Sequence, residues 1–353
     1  MKVVSVVGAR PQFIKCAPIS RELRKNSEEI VIHTGQHYDI NLSQSFFDEL
    51  QIPNPDYNLG VGSGAHGYQT GAMIKFIEDI LLIVNPDVVI VYGDTNSTLA
   101  GALAAAKLRI PLAHIEAGLR SYNKDMPEEI NRVLTDHCSD FLFCPTETAV
   151  SNLKKENIYQ GVYLVGDVMY DALLHNIDLA QKSNILEQMH LEPRTYVLAT
   201  LHRASNTDNS DSLKRIITGL SQVDNKVVFP VHPRTRKALE MFGISPGENI
   251  LVTEPVGYLD FLKLESQAAA IVTDSGGIQK EAYLLCIPCI TVREETEWVE
   301  TVEDGWNVLV GTDTDLIIRT VLEFRPDRGR RQLFGNGTAS RKIVQILEEY
   351  FKK

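Results

Sequence analysis

The sequence predicts an α/β protein made of two doubly wound parallel-sheet units facing across a cleft, on the strength of three observations. Short runs rich in Val and Ile recur at regular intervals with helical patterns between them, as in parallel sheets covered by helices. The 353 residues leave room for two domains at the usual ~150 residues each. Polar residues of catalytic types collect directly after the apolar runs, and open parallel sheets bind ligands beyond the carboxyl ends of their strands.

In the first half the expected strands are KVVSVV (2–7), EIVIHT (29–34), DVVIVY (87–92), PLAHI (111–115), DFLFC (140–144) and YLV (163–165). In the second half they are YVLAT (196–200), KVVFPV (226–231), NILVT (249–253), AAIVT (269–273), CITV (289–292) and NVLV (307–310). The change of unit is expected near Asp167 to Ala172, giving a first domain over 1–168 and a second over 169–335. The remaining stretch, 336–353, contains RKIVQILEEYFKK, an amphipathic helix that could pack back on the first domain.

The formal charge of −11 argues against a nucleic-acid footprint, because phosphate backbones attract net-basic surfaces. A locally basic site for a small anion stays compatible with it. Cys16, Cys138, Cys144, Cys286 and Cys289 are scattered and mostly set in apolar runs, which points to reduced core thiols in a cytoplasmic protein. The C-x-x-C of LLCIPCI lacks a second pair or nearby histidines and reads as buried strand rather than a metal site. The apolar run at the amino terminus is too short for a signal-peptide core, and no segment approaches the ~18 apolar residues of a membrane span.

The strand ends carry the chemistry. TDSGGIQKEA (273–282) sets Ser275, Gly276 and Gly277 at a strand-to-helix junction, where Ser caps and glycines let backbone N–H groups approach an anion. A plain capped helix is the other reading, and Glu281 either meets a ribose or faces solvent. GARPQFIK (8–15) has a similar junction: Gly8 allows a tight turn, Pro11 suits the first helical turn, and Arg10 and Lys15 supply charge. Asp94 in YGDTNS is either the cap of the next helix or a reacting acid. LHRASN and VHPRTR place His202 beside Arg203 and His232 beside Arg234, and TEPVGY brings Tyr258 to another strand end. In HIEAGLRSYNKDMPEEINR, Glu116 ends a strand and Glu128 enters the following helix after Pro127. Arg120 and Arg132 read as partners that position these carboxylates or the helix, and Asp125 and Glu129 as solvent-facing or structural. GSGAHG (62–67) matches G-x-G-x-x-G, yet with no clear strand before it the dinucleotide reading is rejected, and no P-loop occurs.

Taken together, GARPQFIK, TGQHYD, HGYQTG, YGDTNSTLAGALAA, HIEAGLRS, MPEEINR, LATLHR, VHPRTR and TDSGGIQKEA resemble the non-hydrolysing UDP-N-acetylglucosamine 2-epimerases, in family order over almost the whole chain. The resemblance implies two Rossmann-like domains in a glycosyltransferase-B-like arrangement, a homodimer, and neither a nicotinamide nor a metal. It implies inversion at carbon 2 of a UDP-linked 2-acetamido sugar by expulsion of UDP, a bound glycal, and re-addition. It gives Asp94, Glu116, Glu128 and His202 the acid/base roles. Arg10, Lys15, Arg203, His232, Tyr258, Ser275, Gly276, Gly277 and Glu281 are then the substrate contacts. Two features resemble the branch acting on UDP-2,3-diacetamido-2,3-dideoxyglucuronate: Gln12, where many members have Glu, and Trp298 in REETEW, where many have Arg-Pro. On this reading Gln12 removes a cleft acid that would repel an acidic sugar. A glycosyltransferase of the same architecture and a non-catalytic nucleotide-sugar sensor are the more distant readings, since fold alone does not fix function.

Overall fold

The structure, a computed structural model, describes residues 1–36 and 54–352. They form two compact units, one of residues 1–175 with 332–353 and one of residues 176–331.

In the first unit the strands are β1 (Lys2–Val7), β2 (Glu28–His33), β3 (Tyr57–Asn58), β4 (Val88–Tyr92), β5 (Leu112–Ile115), β6 (Phe141–Cys144) and β7 (Val162–Leu164). They form one seven-stranded sheet in the order β3-β2-β1-β4-β5-β6-β7, parallel throughout. The helices between them are α1 (Arg10–Leu23), α2 (His66–Val84), α3 (Asn96–Leu108), α4 (Pro127–Cys138) and α5 (Glu147–Lys155). The strands are buried nearly end to end, because helices cover both faces of a doubly wound sheet. Val4, Val6, Val89, Val91 and Leu112 meet Met73, Ile77 and the alanines of α3 on one such face. Gly101 lets α3 lie on the sheet, since a Cβ there would come within 2.9 Å of Val91.

The second unit repeats the plan with β8 (Tyr196–Thr200), β9 (Lys226–Pro230), β10 (Ile250–Thr253), β11 (Ala270–Thr273), β12 (Cys289–Thr291) and β13 (Asn307–Leu309). Their order is β10-β9-β8-β11-β12-β13, again parallel. Helix α6 (Val168–Ala180) begins in the first unit and ends in the second, which then has in chain order α7 (Ile185–Gln188), α8 (Ala204–Thr207), α9 (Ser210–Ser221), α10 (Pro233–Phe242), α11 (Tyr258–Gln267), α12 (Gly276–Leu284), α13 (Val299–Glu303) and α14 (Thr314–Glu323). The last helix, α15 (Ala339–Phe351), lies against α1. Its amino terminus is closed by Asp171 of α6, whose carboxylate accepts from the Ala339 and Ser340 N–H groups at 3.1 and 2.8 Å.

Every strand expected from the apolar runs is present, and β3 is the one the runs did not reveal. It is two residues long, lacks a Val/Ile run and sits at the sheet edge. It also corrects the reading of GSGAHG, which does follow a strand and lead into a helix, α2. That helix is capped at Ala65, and the segment's carbonyl at Gly62 is taken by Gln69 Nε2 at 2.6 Å. Cys286 departs from the buried-strand reading too: it lies exposed in a turn with φ +57, while Cys289 is buried in β12 and both are free thiols.

Candidate active site

In each unit the chain reverses its direction of travel across the sheet between two central strands, β1 and β4 in the first and β8 and β11 in the second. Ligands of open α/β sheets bind beyond the carboxyl ends at such switch points. Arg10 and Lys15 follow β1, Asp94 follows β4, His202 and Arg203 follow β8, and Ser275 to Glu281 follow β11, whereas Glu116, His232 and Tyr258 follow β5, β9 and β10 and Glu128 lies in α4.

In the first unit, β1 passes through Gly8 into α1. Only glycine fits, because a Cβ would lie 2.0 Å from Thr34 Oγ1 and 2.2 Å from Ser97 Oγ. Gln12 braces this turn from inside the fold. Its Oε1 accepts from the Gly8 and Ala9 N–H groups at 2.8 and 3.0 Å, and its Nε2 donates to the Tyr92 carbonyl and Thr98 Oγ1 at 2.9 and 3.0 Å. The side chain is buried with all four bonds made to the chain itself, so it does not present itself to a ligand, and the charge-repulsion argument has no footing there. Arg10 opens α1, and its side chain lies outside the described residues, as does the HYD of TGQHYD.

Glu116 follows β5 in left-handed backbone, φ +75, an expensive conformation for a residue with a Cβ. Its carboxylate is buried and ion-paired to the Lys15 ammonium of α1. Gly93, itself at φ +62, lies against this pair: a Cβ there would stand 3.0 Å from Lys15 Nζ and 3.4 Å from Glu116 Oε2. The next residue, Asp94, is not the cap of α3, because Thr95 takes that role with its hydroxyl. The Asp94 carboxylate is about a third exposed and ion-paired to Arg132 of α4, while Asn131 Nδ2 donates to its carbonyl at 3.0 Å. Strands β4 and β5 are neighbours, so Asp94 and Glu116 leave the sheet side by side, one on a guanidinium and the other on an ammonium.

Glu128 stands exposed in the first turn of α4, one residue past Pro127, as its spacing predicts. The structure does not tie its carboxylate to Asp94 or Glu116. Its neighbour Glu129 is structural: buried, it accepts from the Ser121 and Tyr122 N–H groups at 2.9 Å each and from Arg132 at 2.9 Å. Arg132 pairs with Asp94 and with Glu129, while Arg120 bonds the helix rather than an acid of the stretch: its guanidinium donates to Asp136 of α4 at 2.7 Å and to Glu156 at 2.6 and 2.7 Å.

In the second unit, His202 follows β8 and Asp274 follows β11. The Asp274 carboxylate is fully buried and accepts from the His202 and Arg203 N–H groups at 3.1 Å each and from Asn206 Nδ2 at 3.1 Å. His202 Nδ1 lies 3.1 Å from Asp274 Oδ1. Burial alone would raise the Asp274 pKa, but the bonds and charge of His202 and the bonds of Arg203 and Asn206 outweigh it and hold the carboxyl below its ordinary value. An anion on Nδ1 leaves Nε2 of a half-exposed imidazole to exchange protons. His232 stands 6.0 Å away ring to ring and caps α10, its Nδ1 accepting from the Arg234 N–H at 3.2 Å.

Ser275 occupies the cap position of α12, yet its hydroxyl makes no cap hydrogen bond, contrary to the plain-cap reading. Gly276 and Gly277 open the helix. A Cβ on Gly276 would meet Glu297 Oε1 at 2.2 Å, and that carboxylate also pairs with Arg293 at 3.0 Å and Arg203 at 3.4 Å. Burial lowers the Arg293 pKa more than Glu297 restores it. Trp298 beside it is buried, with Lys280 Nζ 4.0 Å from its ring centre. Glu281 does not face solvent: it is buried and accepts from the Tyr258 hydroxyl at 3.2 Å. The helix terminus and the two arginines make this turn suited to an anion.

The motifs lie at the strand ends from which they were read, and beneath them stand groups the motifs did not single out. Asp274 was in view as the second residue of TDSGG, and its place directly after a strand was the available signal. Asn206, in LHRASN, and Arg293 and Glu297, in REETEW, also lay in stretches that follow strands, but their bonds to this turn come from long-range folding.

A family model described as UDP-N-acetylglucosamine 2-epimerase matches residues 21–348 of the chain. A protein of Methanococcus maripaludis named UDP-N-acetylglucosamine 2-epimerase homolog is 56% identical, covering 98% of this chain and 99% of its own. The UDP-2,3-diacetamido-2,3-dideoxy-D-glucuronate 2-epimerase of Pseudomonas aeruginosa is 47% identical over 98% of this chain and 99% of its own. Among solved structures, the Methanocaldococcus jannaschii UDP-GlcNAc 2-epimerase in complex with UDP-GlcNAc and UDP superposes with a TM-score of 0.93. It is 48% identical, over 99% of this chain and 100% of that one.

Proposed function

The chain belongs to the UDP-N-acetylglucosamine 2-epimerase family, and on that premise we propose that it interconverts UDP-N-acetylglucosamine and UDP-N-acetylmannosamine. The observation that carries this reading is the pair of carboxylates, Asp94 and Glu116, leaving neighbouring strands with different cationic partners. The hydrogen on carbon 2 has no adjacent carbonyl, so direct deprotonation is very unfavourable. Breaking the bond from carbon 1 to UDP develops positive charge that lets a base take that proton, leaving a 2-acetamidoglucal and UDP. Protonation of carbon 2 from the other face and return of UDP to carbon 1 complete the inversion.

Asp94, Glu116, Glu128 and His202 handle the proton in this proposal. Ser275, Gly276 and Gly277 hold the diphosphate with Arg10, Arg203 and His232. Glu281, buttressed by Tyr258, takes the ribose, and Lys15 supplies charge beside Glu116. The reaction in deuterated water should place deuterium at carbon 2 of the product. Unlabelled product from an active sample would sink the elimination mechanism, and UDP accumulating in step with free sugar would indicate hydrolysis instead.

The same chemistry on UDP-2,3-diacetamido-2,3-dideoxyglucuronate is the second reading, favoured by the Pseudomonas relative and by the placing of Trp298 beside the α12 turn. Separate incubations with the two nucleotide sugars, followed by NMR of the carbon 1 proton, distinguish them. We assign the protein to surface polysaccharide synthesis in the cytoplasm, and among the described residues no helix is long and apolar enough to cross a membrane. A homodimer is supported by α2, whose Tyr68, Phe76, Leu82 and Ile83 are exposed, and by Ile130 and Leu134 of α4.

A further inference from the structure

We propose that Asn131 and Asn96 are positioning residues for Asp94, joined with Gln69 in a one-way chain of buried side-chain amides that fixes the turn bearing this acid against α2 and α4. The kinetic arm of this inference rests on the epimerase reading; the hydrogen-bond arm does not.

A backbone carbonyl, which can only accept, stands at each end of the chain. Gln69 of α2 donates from Nε2 to the Gly62 carbonyl at 2.6 Å, so its Oε1 faces Asn96, whose Nδ2 donates to it at 2.8 Å. Asn131 of α4 donates from Nδ2 to the Asp94 carbonyl at 3.0 Å and to Asn96 Oδ1 at 3.1 Å. Asn96 Nδ2 also stands 3.1 Å from His66 Nδ1. Turning over any one of the three amides would set oxygen against oxygen, so the two carbonyls dictate all three orientations. Gln69, Asn96 and Asn131 are buried, where an amide parted from its partner has no water to turn to.

The bonds meet where Asp94 leaves β4. Asn131 holds the backbone of Asp94, while Arg132, the next residue of the same helix, holds its carboxylate. Glu128 stands one turn earlier on that helix, three positions before Asn131. The first turn of α3, directly after Asp94 and Thr95, is fastened residue by residue. Asn96 goes to Gln69, Ser97 donates from its N–H to Gln36 Oε1 at 3.0 Å, and Thr98 Oγ1 accepts from Gln12 Nε2 at 3.0 Å. HGYQTG, TGQHYD and GARPQFIK thus each send one glutamine to this turn, a side chain that can donate and accept at once. With the turn held on that side, Asn131 sets the distance from Asp94 to the helix that carries Glu128. Cutting its two bonds frees the Asp94 backbone while the carboxylate stays on Arg132, and the acid loses its aim.

NMR of the wild-type protein labelled with ¹⁵N-asparagine tests the first arm. The Nδ2 hydrogens of Asn96 and Asn131 should exchange with solvent at least about 100-fold more slowly than those of a free carboxamide. Exchange at the free rate overturns the proposal. For the second arm, Asn131→Leu, which keeps the volume and removes the donor, should lower kcat for deuterium entry at carbon 2 about 100-fold while UDP affinity is kept. Gln69→Leu touches no acid and should lower kcat about tenfold, the scale of one hydrogen bond. The double variant should be no slower than N131L, because both changes cut the same chain. A folded N131L with wild-type kcat overturns the proposal, as does a double variant whose loss is the product of the two single losses. If N131L does not fold, Q69L decides: wild-type kcat counts against the chain, and a lowered kcat with UDP affinity intact supports it. Wild-type protein that never exchanges carbon 2 would defeat the epimerase reading and leave the amide-exchange result standing.

Discussion

At the scale of single residues, the strongest constraints are charges and methylenes in places that admit no alternative. Lys15 and Glu116 form a buried pair, and such pairs cost about 3–5 kcal/mol to break from one side. Lys15→Met should therefore lower the unfolding free energy by that order in denaturant titrations and abolish epimerisation; unchanged unfolding would show the pair to be ornamental. Gly276→Ala pushes a methyl to 2.2 Å from Glu297 and so displaces that buried carboxylate from Arg293; UDP affinity should fall at least tenfold by calorimetry. Acid unfolding follows the two buried aspartates. Asp136 and Asp274 titrate below their unfolded values, so their contribution is complete above the unfolded ~3.9 and is lost as pH falls through the lower folded values. Asp274→Asn should flatten that acid limb in stability-versus-pH measurements. At this scale the sequence showed Asp94, Glu116 and His202, because strand ends advertise them. It could not show Gln12 as a brace or Glu297 at Gly276, because the first role depends on atoms 80 and 86 positions away and the second on a residue 21 positions away.

At the scale of elements, apolar runs specified the strands because a parallel sheet buried on both faces needs Val and Ile at nearly every position. The edge strand β3, bounded by two residue pairs with β2, needs no such run. Helix ends were less legible, since caps come from elsewhere: Thr95 rather than Asp94 closes α3, and Asp171 reaches from α6 to close α15. Burial raises the Asp171 pKa against the bonds from Ser340 and Ala339. Asp171→Ala should cost about 1–3 kcal/mol, the usual penalty for leaving buried donors unsatisfied, and should speed hydrogen exchange along α15. Protection there equal to the wild type would show that α1 alone holds the helix.

For the whole molecule, the proposed nucleotide contacts are concentrated in residues 202–281, within the second unit. UDP at a hundred times its Kd should add about 2.7 kcal/mol of stability, with hydrogen-exchange protection strongest around 202–206 and 274–281. Protection confined to 93–132 would reassign the nucleotide. Ile83→Asp with Phe76→Asp should convert a dimer to a monomer in sedimentation; a dimer that persists would place the interface on another face.

The asymmetric division of the chain also bears on how the protein is born. Residues 176–331 are contiguous, whereas the unit with the acids draws on both 1–175 and 332–353. On a ribosome, the second-made unit can therefore finish folding before the first-made one, whose α1 surface waits for α15 to be synthesised. Nascent chains halted before Ala339 should expose that surface to chaperones even though the sheet beneath it has already been translated.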